Sequence, residues 1–329
     1  MKRNWFRLIT ASSLGIGVWG SLTAQADFML GNADNYAVLV GGGNATFNMG
    51  GNNSQITGNV GIGQVQNTEG DQVSLNNGTI TGTLGFAGTY NYNGQNNNQP
   101  AQNGRTFGGT VAGGYFQNST AVASALNTVS GFSSAFGSLY NSGNAISINT
   151  QNGNQTIDAA TVGTLEANVT ANSVNYGTAY VVNINSVTLN NHTLTITDSG
   201  STAAVVLNVK VQNGEFNNGI TLGAGLNAND VIINLLGQGE FQNAANGATQ
   251  SVTYIDEDNT INVESPIDGH VFGGGGSGVN FSVNSQISDA GLSSVPEPST
   301  CLESSFLLLP IGVYLLHWAR TRAVKRTVQ

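Results

Sequence analysis

Asp230-Val-Ile-Ile-Asn-Leu-Leu236 is the stretch on which the reading of the fold turns. It is a short apolar burst, β-branched at Val231, Ile232 and Ile233, with Asn and Gly on either side. Such residues suit a pleated surface, and the flanking types suit tight corners. Outward from it the texture repeats. Gln72-Val-Ser-Leu75, Thr79-Ile-Thr-Gly-Thr-Leu84, Tyr180 to Leu189 and Thr193-Leu-Thr-Ile-Thr197 are bursts of the same kind. So are Val205-Val-Leu-Asn-Val-Lys-Val211 and Val279-Asn-Phe-Ser-Val283. Corners are marked by Asn77-Gly78, Asn190-Asn191, Asn213-Gly214 and Asn217-Asn218, which tolerate positive φ. Period-2 alternation of this kind predicts half-buried strands.

Composition narrows the architecture. The chain has 329 residues, 45 of them Gly, and only 8% charged residues, against about 25% in an ordinary soluble domain. It is too apolar for a solvated disordered chain and lacks the period of collagen. Its single Cys, Cys301, excludes a disulfide framework and a cysteine-built zinc site. Short strands, dense corners and few charge pairs predict a mainly β chain, a β-solenoid in which each coil stacks its backbone on the next. A β-sandwich is the rival architecture. No strict repeat is visible, so the coils are expected to be irregular.

One stretch departs from the strand pattern. Between Ser119 and Tyr140, Val122, Ala125, Leu126, Val129, Phe132, Phe136, Leu139 and Tyr140 recur at steps of three and four. That spacing predicts one flanking amphipathic helix over 119–140, with Asn118 or Ser119 as its N-cap and Asn141 to Gly143 as its stop. In a β body, its apolar stripe is expected to lie along the side of a sheet.

Charge is distributed unevenly. Seven of the nine basic residues lie in the terminal tails. Between residues 27 and 295 only Arg105 and Lys210 face 16 acidic residues, a net charge near −14. So acidic a body has no electrostatic footprint for nucleic acid.

The two ends read as addresses. Residues 1–26 form a signal peptide: basic Lys2, Arg3 and Arg7, an apolar run from Leu8 to Leu22, then Ala24-Gln25-Ala26. Signal peptidase is expected to cut between Ala26 and Asp27. Residues 296–329 form the second address. An apolar run from Phe306 to Trp318, a short transmembrane sorting helix, follows Val295-Pro-Glu-Pro-Ser299. Arg320, Arg322, Lys325 and Arg326 close the chain as a positive-inside flank. The order of Pro296-Glu297-Pro298, helix and basic tail resembles the PEP-CTERM sorting signal of Gram-negative bacteria. That resemblance implies recognition by an exosortase-type protease and delivery to the cell envelope, surface or extracellular matrix. It also implies membrane contact through the C-terminal helix before processing, and exopolysaccharide as a candidate partner.

The body, 27–295, also carries a resemblance. Leu30-Gly-Asn-Ala-Asp-Asn-Tyr-Ala-Val-Leu-Val40, Gly41-Gly-Gly43 and Ile56-Thr-Gly-Asn-Val-Gly61 come first. Val231-Ile-Ile-Asn-Leu235 and Ile267-Asp-Gly-His-Val-Phe-Gly273 come late. Together with the early helix they resemble choice-of-anchor A modules and the ice-binding-like β-solenoids. The resemblance implies a right-handed β-helix with a flanking helix, and an adhesive or matrix role.

The search for chemistry yields little. His192 stands in a corner, and His270 opens a strand. Asp256, Glu257 and Asp258, with Glu264 and Asp268 nearby, are the densest acidic cluster. Hard oxygen ligands of this kind suit Ca²⁺. Their spacing matches no EF-hand, and solvated loop carboxylates are the simpler reading. The same carboxylates are what a polysaccharide-cleaving β-helix would use, but cations to stabilise developing charge are scarce. Phe272-Gly-Gly-Gly-Gly-Ser-Gly278 lacks the Lys of a phosphate loop. Thr193, Thr195 and Thr197, and again Thr79, Thr81 and Thr83, would each share one strand face. No catalytic residue and no cofactor is assigned. The reading is a non-enzymatic surface or matrix protein. The alternatives are a carbohydrate-active β-helix enzyme and an ice-binding or adhesin-type module.

Overall fold

The computed structural model describes residues 30–41, 46–50, 53–63, 73–88, 105–106, 108–189, 192–199, 203–210, 214–216, 218–237, 241–243, 248–256, 260–273 and 280–289. The signal peptide, the sorting motif with its helix and basic tail, and Glu257 and Asp258 lie outside these residues. Among the described residues no helix is long and apolar enough to cross a membrane.

The predicted bursts form short strands that pair almost entirely in parallel, coil on coil. Three faces recur. The first coil supplies Val38–Val40 to the first face, Thr46–Met49 to the second and Gln55–Thr57 to the third, before Val60–Ile62 returns to the first. The 11-residue strand Ala179–Leu189 runs across two faces. Its first half pairs with Ala204–Val209, and Thr188 and Leu189 pair with Glu215 and Phe216. Inside, one apolar core joins all three faces, with Phe47, Ile56, Val60, Ile196, Ile233 and Phe281 among its fully buried members. This arrangement bears out the β-solenoid and excludes the sandwich.

Coil order in space differs from coil order in sequence. Along the first face the neighbours are Tyr115–Phe116, Leu84–Phe86, Val60–Ile62, Val38–Val40, Val271–Gly273, Thr253–Asp256, Val231–Leu235, Ala204–Val209 and Ala179–Leu189. The chain therefore builds its first coils in one direction, crosses to the far end, and builds back. The last coil, with Val271–Gly273, Asn280–Val283 and Gln286–Ser288, then pairs with all three strands of the first. The N-terminal coil sits in the interior of the stack.

Helix α1, Thr120–Gly137, makes the crossing. Ser119 is its N-cap, its Oγ accepting from the Val122 N–H at 3.2 Å. The helix ends at Gly137, before the predicted Asn141–Gly143 stop, and Asn141 instead caps a single 3-10 turn, Ser142–Asn144. Eighteen residues rise about 27 Å. Beneath it runs a register row of one residue per coil: Gly85, Gly61, Leu39, Phe272, Ile255, Asn234, Asn208 and Asn183. From Gly85 to Asn208 this row spans six strand spacings, about 29 Å. Helix and row match in length, and their residues match in type. Gly85 admits the helix start closely, since a Cβ there would come within 2.9 Å of Val122. Leu39, Phe272 and Ile255 pack with Val122, Val129, Phe132 and Phe136 in a second core.

Two of the three Asn, Asn208 and Asn234, serve the helix end. Asn208 Nδ2 donates to the Phe136 carbonyl at 2.6 Å, one of the carbonyls a helix end leaves without an intrahelical partner. Asn234 Nδ2 donates to Asn208 Oδ1 at 2.9 Å, and Ser133 Oγ donates to Asn234 Oδ1 at 2.8 Å. This Asn pair lies mid-strand and is fully covered. Gly131, which weakens the helical pattern, is where Tyr176 crosses: a Cβ would lie 2.5 Å from its hydroxyl. That hydroxyl donates to the Thr128 carbonyl at 3.0 Å.

Three expectations are corrected. The strands Ala204–Val209 and Val231–Leu235 are not half-buried but buried at every position, because α1 covers the side that would otherwise meet water. A second helix, Ala159–Val162, is a single turn that no apolar period announced. Asp256 is not a solvated loop carboxylate: it lies on strand Thr253–Asp256 and is 2% exposed.

Candidate functional site

With the first face under α1, the described surfaces with repeated side chains are the outer rows of the third and second faces. On the third face, strands Gln155–Asp158, Leu194–Thr197 and Ile220–Leu222 point Leu194, Ile196 and Ile220 inward. Period 2 then turns Thr156, Thr195 and Thr221 outward, and the register places the three side by side. The hydroxyls of Thr195 and Thr221 share a hydrogen bond at 3.1 Å. Elsewhere on this face, Gln286, Gln55, Thr79 and Thr110 form a second row. Asp268, Ser288 and Thr57 stand side by side in register beside it. Beneath them Ile287, Ile56, Ile80 and Val111 fill the core.

The two halves of the third face meet at the single bridge Gln250–Ile267. Gln250 is buried, and its side chain replaces a strand's backbone. Its Nε2 donates to the carbonyls of Phe216 and Asn218, each at 2.9 Å, and its Oε1 accepts from the Tyr254 hydroxyl at 2.8 Å. Asn243 Nδ2 donates to the Ser265 carbonyl at 3.1 Å. Burial holds the Tyr254 phenol well above its usual range. The outer surface of this face also carries two carboxylates, Asp158 at the end of one strand and Asp268 at the end of another.

The second face carries a longer row, one residue per coil: Ser74, Asn48, Ser282, Asn262, Gln242, Glu215, Thr188 and Asn149. Asn76 Nδ2 donates to Asn48 Oδ1 at 2.8 Å, and Gln242 Nε2 to Glu264 Oε1 at 3.3 Å.

The Thr residues singled out from sequence separate into those on the rows and those at corners. Thr195 and Thr79 are on the outer rows. Thr197 Oγ1 turns back to donate to the Ile157 carbonyl at 3.2 Å. Thr83 leaves the third face altogether: its hydroxyl donates to Asn59 Oδ1 at 2.9 Å, at the corner. Thr156, Thr221 and Thr110 were missed, because each is a lone Thr in its own strand and only register aligns it. Asp158 borders the row, its carboxyl held below the usual range by the Ser199 hydroxyl and N–H and by Thr161.

The other candidates are dispersed. Asp268 lies on Ile267–Asp268, on the third face, away from Asp256 on the first. No group of three His, Cys, Asp or Glu among the described residues is arranged to hold a metal ion. His192 sits in a bend. Lys210 Nζ stands 5.4 Å from the centre of the Tyr140 ring. His270 is fully buried, which its position at a strand start did not disclose.

No family model matches this chain, and no curated protein matches it. Among solved structures, an antifreeze ice-binding protein from an Arctic yeast is similar over 83% of this chain and 98% of its own, at 15% identity and a TM-score of 0.48. A Shewanella frigidimarina ice-binding protein domain is similar over 81% and 98%, at 14% identity and a TM-score of 0.45. An ice-binding protein from an Antarctic biological consortium is similar over 80% and 90%, at 15% identity and 0.44.

Proposed function

We propose that this chain is an exported, non-enzymatic surface-binding module whose third face engages ice. The observation that carries the reading is the register of Thr156, Thr195 and Thr221, one outward hydroxyl and methyl per coil. Thr is stiff at χ1, so its two groups hold one geometry. Parallel strands repeat that geometry at about 4.8 Å across the face. A fixed, repeating array of weak donors, acceptors and methyls suits an ordered water lattice. Charged side chains would hold their own hydration instead, and the row has none. Many such contacts made together give tight adsorption from individually weak ones.

The test is partition of the full chain into slowly growing ice. Wild type is expected to concentrate in the ice, and Thr195→Tyr with Thr221→Tyr to be excluded from it. Both substitutions are outward, so stability should change by less than about 0.5 kcal/mol each. Exclusion of the wild-type chain from ice would end the reading.

Delivery is part of the same proposal. Ala24-Gln25-Ala26 supports cleavage by signal peptidase before Asp27, and the Pro296-Glu297-Pro298 signal supports processing by an exosortase-type protease in the envelope. Intact mass of the envelope-associated protein decides this: a surface form that still carries Arg320 to Gln329 would make the tail a permanent anchor. A matrix role alongside ice binding is favoured by the Asn- and Gln-rich second-face row, whose amides both donate and accept and so suit the hydroxyls of an exopolysaccharide.

A further inference from the structure

The place where the last coil pairs with the first is a seam between segments more than 200 residues apart, and one imidazole lies across it. His270 Nδ1 is 2.7 Å from the Tyr36 carbonyl of the entering segment. Its Nε2 is 3.7 Å from Asp289 Oδ1, just past Gln286–Ser288 where the last coil ends. Around it the backbone closes the seam: Val271 N–H donates to the Ala37 carbonyl, Gly41 N–H to Gly273, and Asp289 N–H to Thr57.

We propose that His270 is an acid-sensitive clasp: neutral, it holds the first and last coils together, and a proton on Nε2 loosens the seam between them. Nδ1–H donates to the Tyr36 carbonyl, which leaves the Nε2 lone pair bare. Nε2 is buried and has no hydrogen-bond partner. At 3.7 Å the Asp289 carboxylate is too far to supply one. A proton taken up at Nε2 therefore creates a cation with no hydrogen-bond acceptor, in a site that water does not reach. The ring side chain is 2% exposed, whereas Asp289 is 23% exposed and shares its charge with solvent. A buried charge whose nearest counter-ion is partly solvated and not hydrogen-bonded to it is relieved by opening to water.

The titratable groups on the surrounding elements are few. Asp34 and Tyr36 lie on the entering segment, Asp289 and Asp268 on the third face, and Tyr254 and Asp256 on the neighbouring coil. None is a cation. Burial holds the imidazole below its ordinary value, against the upward pull of Asp289 and of the Tyr36 carbonyl. The sign follows: the unfolded or opened chain binds the proton more readily. The stabilising effect is then complete above the ordinary His value of about 6.5 and is lost as pH falls from there through the lowered value.

The test is amide hydrogen exchange on the full chain across about pH 7.5 to 5, the range in which His titrates, corrected for the intrinsic pH dependence of exchange. Protection at Val271 and Gly41 is expected to fall as pH drops, by up to about tenfold per pH unit, the limit for one proton. Strand Ala204–Val209, remote from the seam, should keep its protection. His270→Gln retains a donor for the Tyr36 carbonyl and cannot charge, so its seam should be insensitive to pH in this range. Unchanged wild-type protection at Val271 and Gly41 would overturn the clasp, as would an equal loss in His270→Gln. A ring titration measured by NMR on the wild-type chain needs no variant: an imidazole that charges at or above its ordinary value with the seam intact would show that Asp289 accommodates the cation, and the clasp would not exist.

Discussion

The row beneath α1 and the Thr row of the third face are built on the same kind of strand, with one residue per coil in parallel register. One reads Gly85, Gly61, Leu39, Phe272, Ile255, Asn234, Asn208, Asn183; the other reads Thr156, Thr195, Thr221. The first changes type along its length because its partner does. Helix start, apolar stripe and helix end each demand a different neighbour, and Gly, large apolar residues and Asn supply them in turn. The second repeats one type, which fits a partner that is itself repetitive. The row beneath α1 thus follows its helix residue by residue, whereas the three Thr share one residue type.

The sharpest way to break this comparison is to substitute one position of the core and one of each row. Ile233 points into the solenoid core and is fully buried. Ile233→Asp leaves a carboxylate there without a partner, and a loss of at least about 3 kcal/mol is expected in denaturant unfolding. An unchanged midpoint would mean that Ile233 is not buried in the folded chain. Asn234→Ala tests the covered row. It deletes the groups that meet Ser133 and Asn208, so about 1–3 kcal/mol should be lost, with α1 becoming the first site of proteolysis. Equal cleavage along the whole chain would show that the Asn stack does not secure the helix. Thr221→Asp is the smallest change, within about 0.5 kcal/mol because the residue is exposed. It should nonetheless abolish partition into ice, since a charged side chain interrupts the row.

Much of the fold was legible because it is encoded locally. The three- and four-residue steps from Val122 to Phe136 mark α1, and Ser119 marks its start, since capping depends on one side chain and the next turn. Bursts such as Thr193 to Thr197 mark strands because alternation is local too. The sequence reading failed where burial depended on a remote partner. Val205 to Val211 and Asp230 to Leu236 read as half-buried, and nothing near them announces that a helix from residues 120–137 lies on their outer side. His270 read as a polar residue opening a strand, and Asp256 as part of a solvated loop. Each is buried by segments distant in the chain.

By itself, then, the sequence determined a chain of short strands with dense Asn and Gly corners, one apolar-faced helix and an acidic body. These properties depend on residue type, period and charge, which are summed over neighbours. Only the tertiary structure decided the order of the coils. It placed the first coil between the second and the last, set α1 along a row of matching length, and aligned Thr156, Thr195 and Thr221 from three separate strands. Register between coils is a long-range choice. It is made by which apolar residues fill the common interior together, and no single strand contains that information.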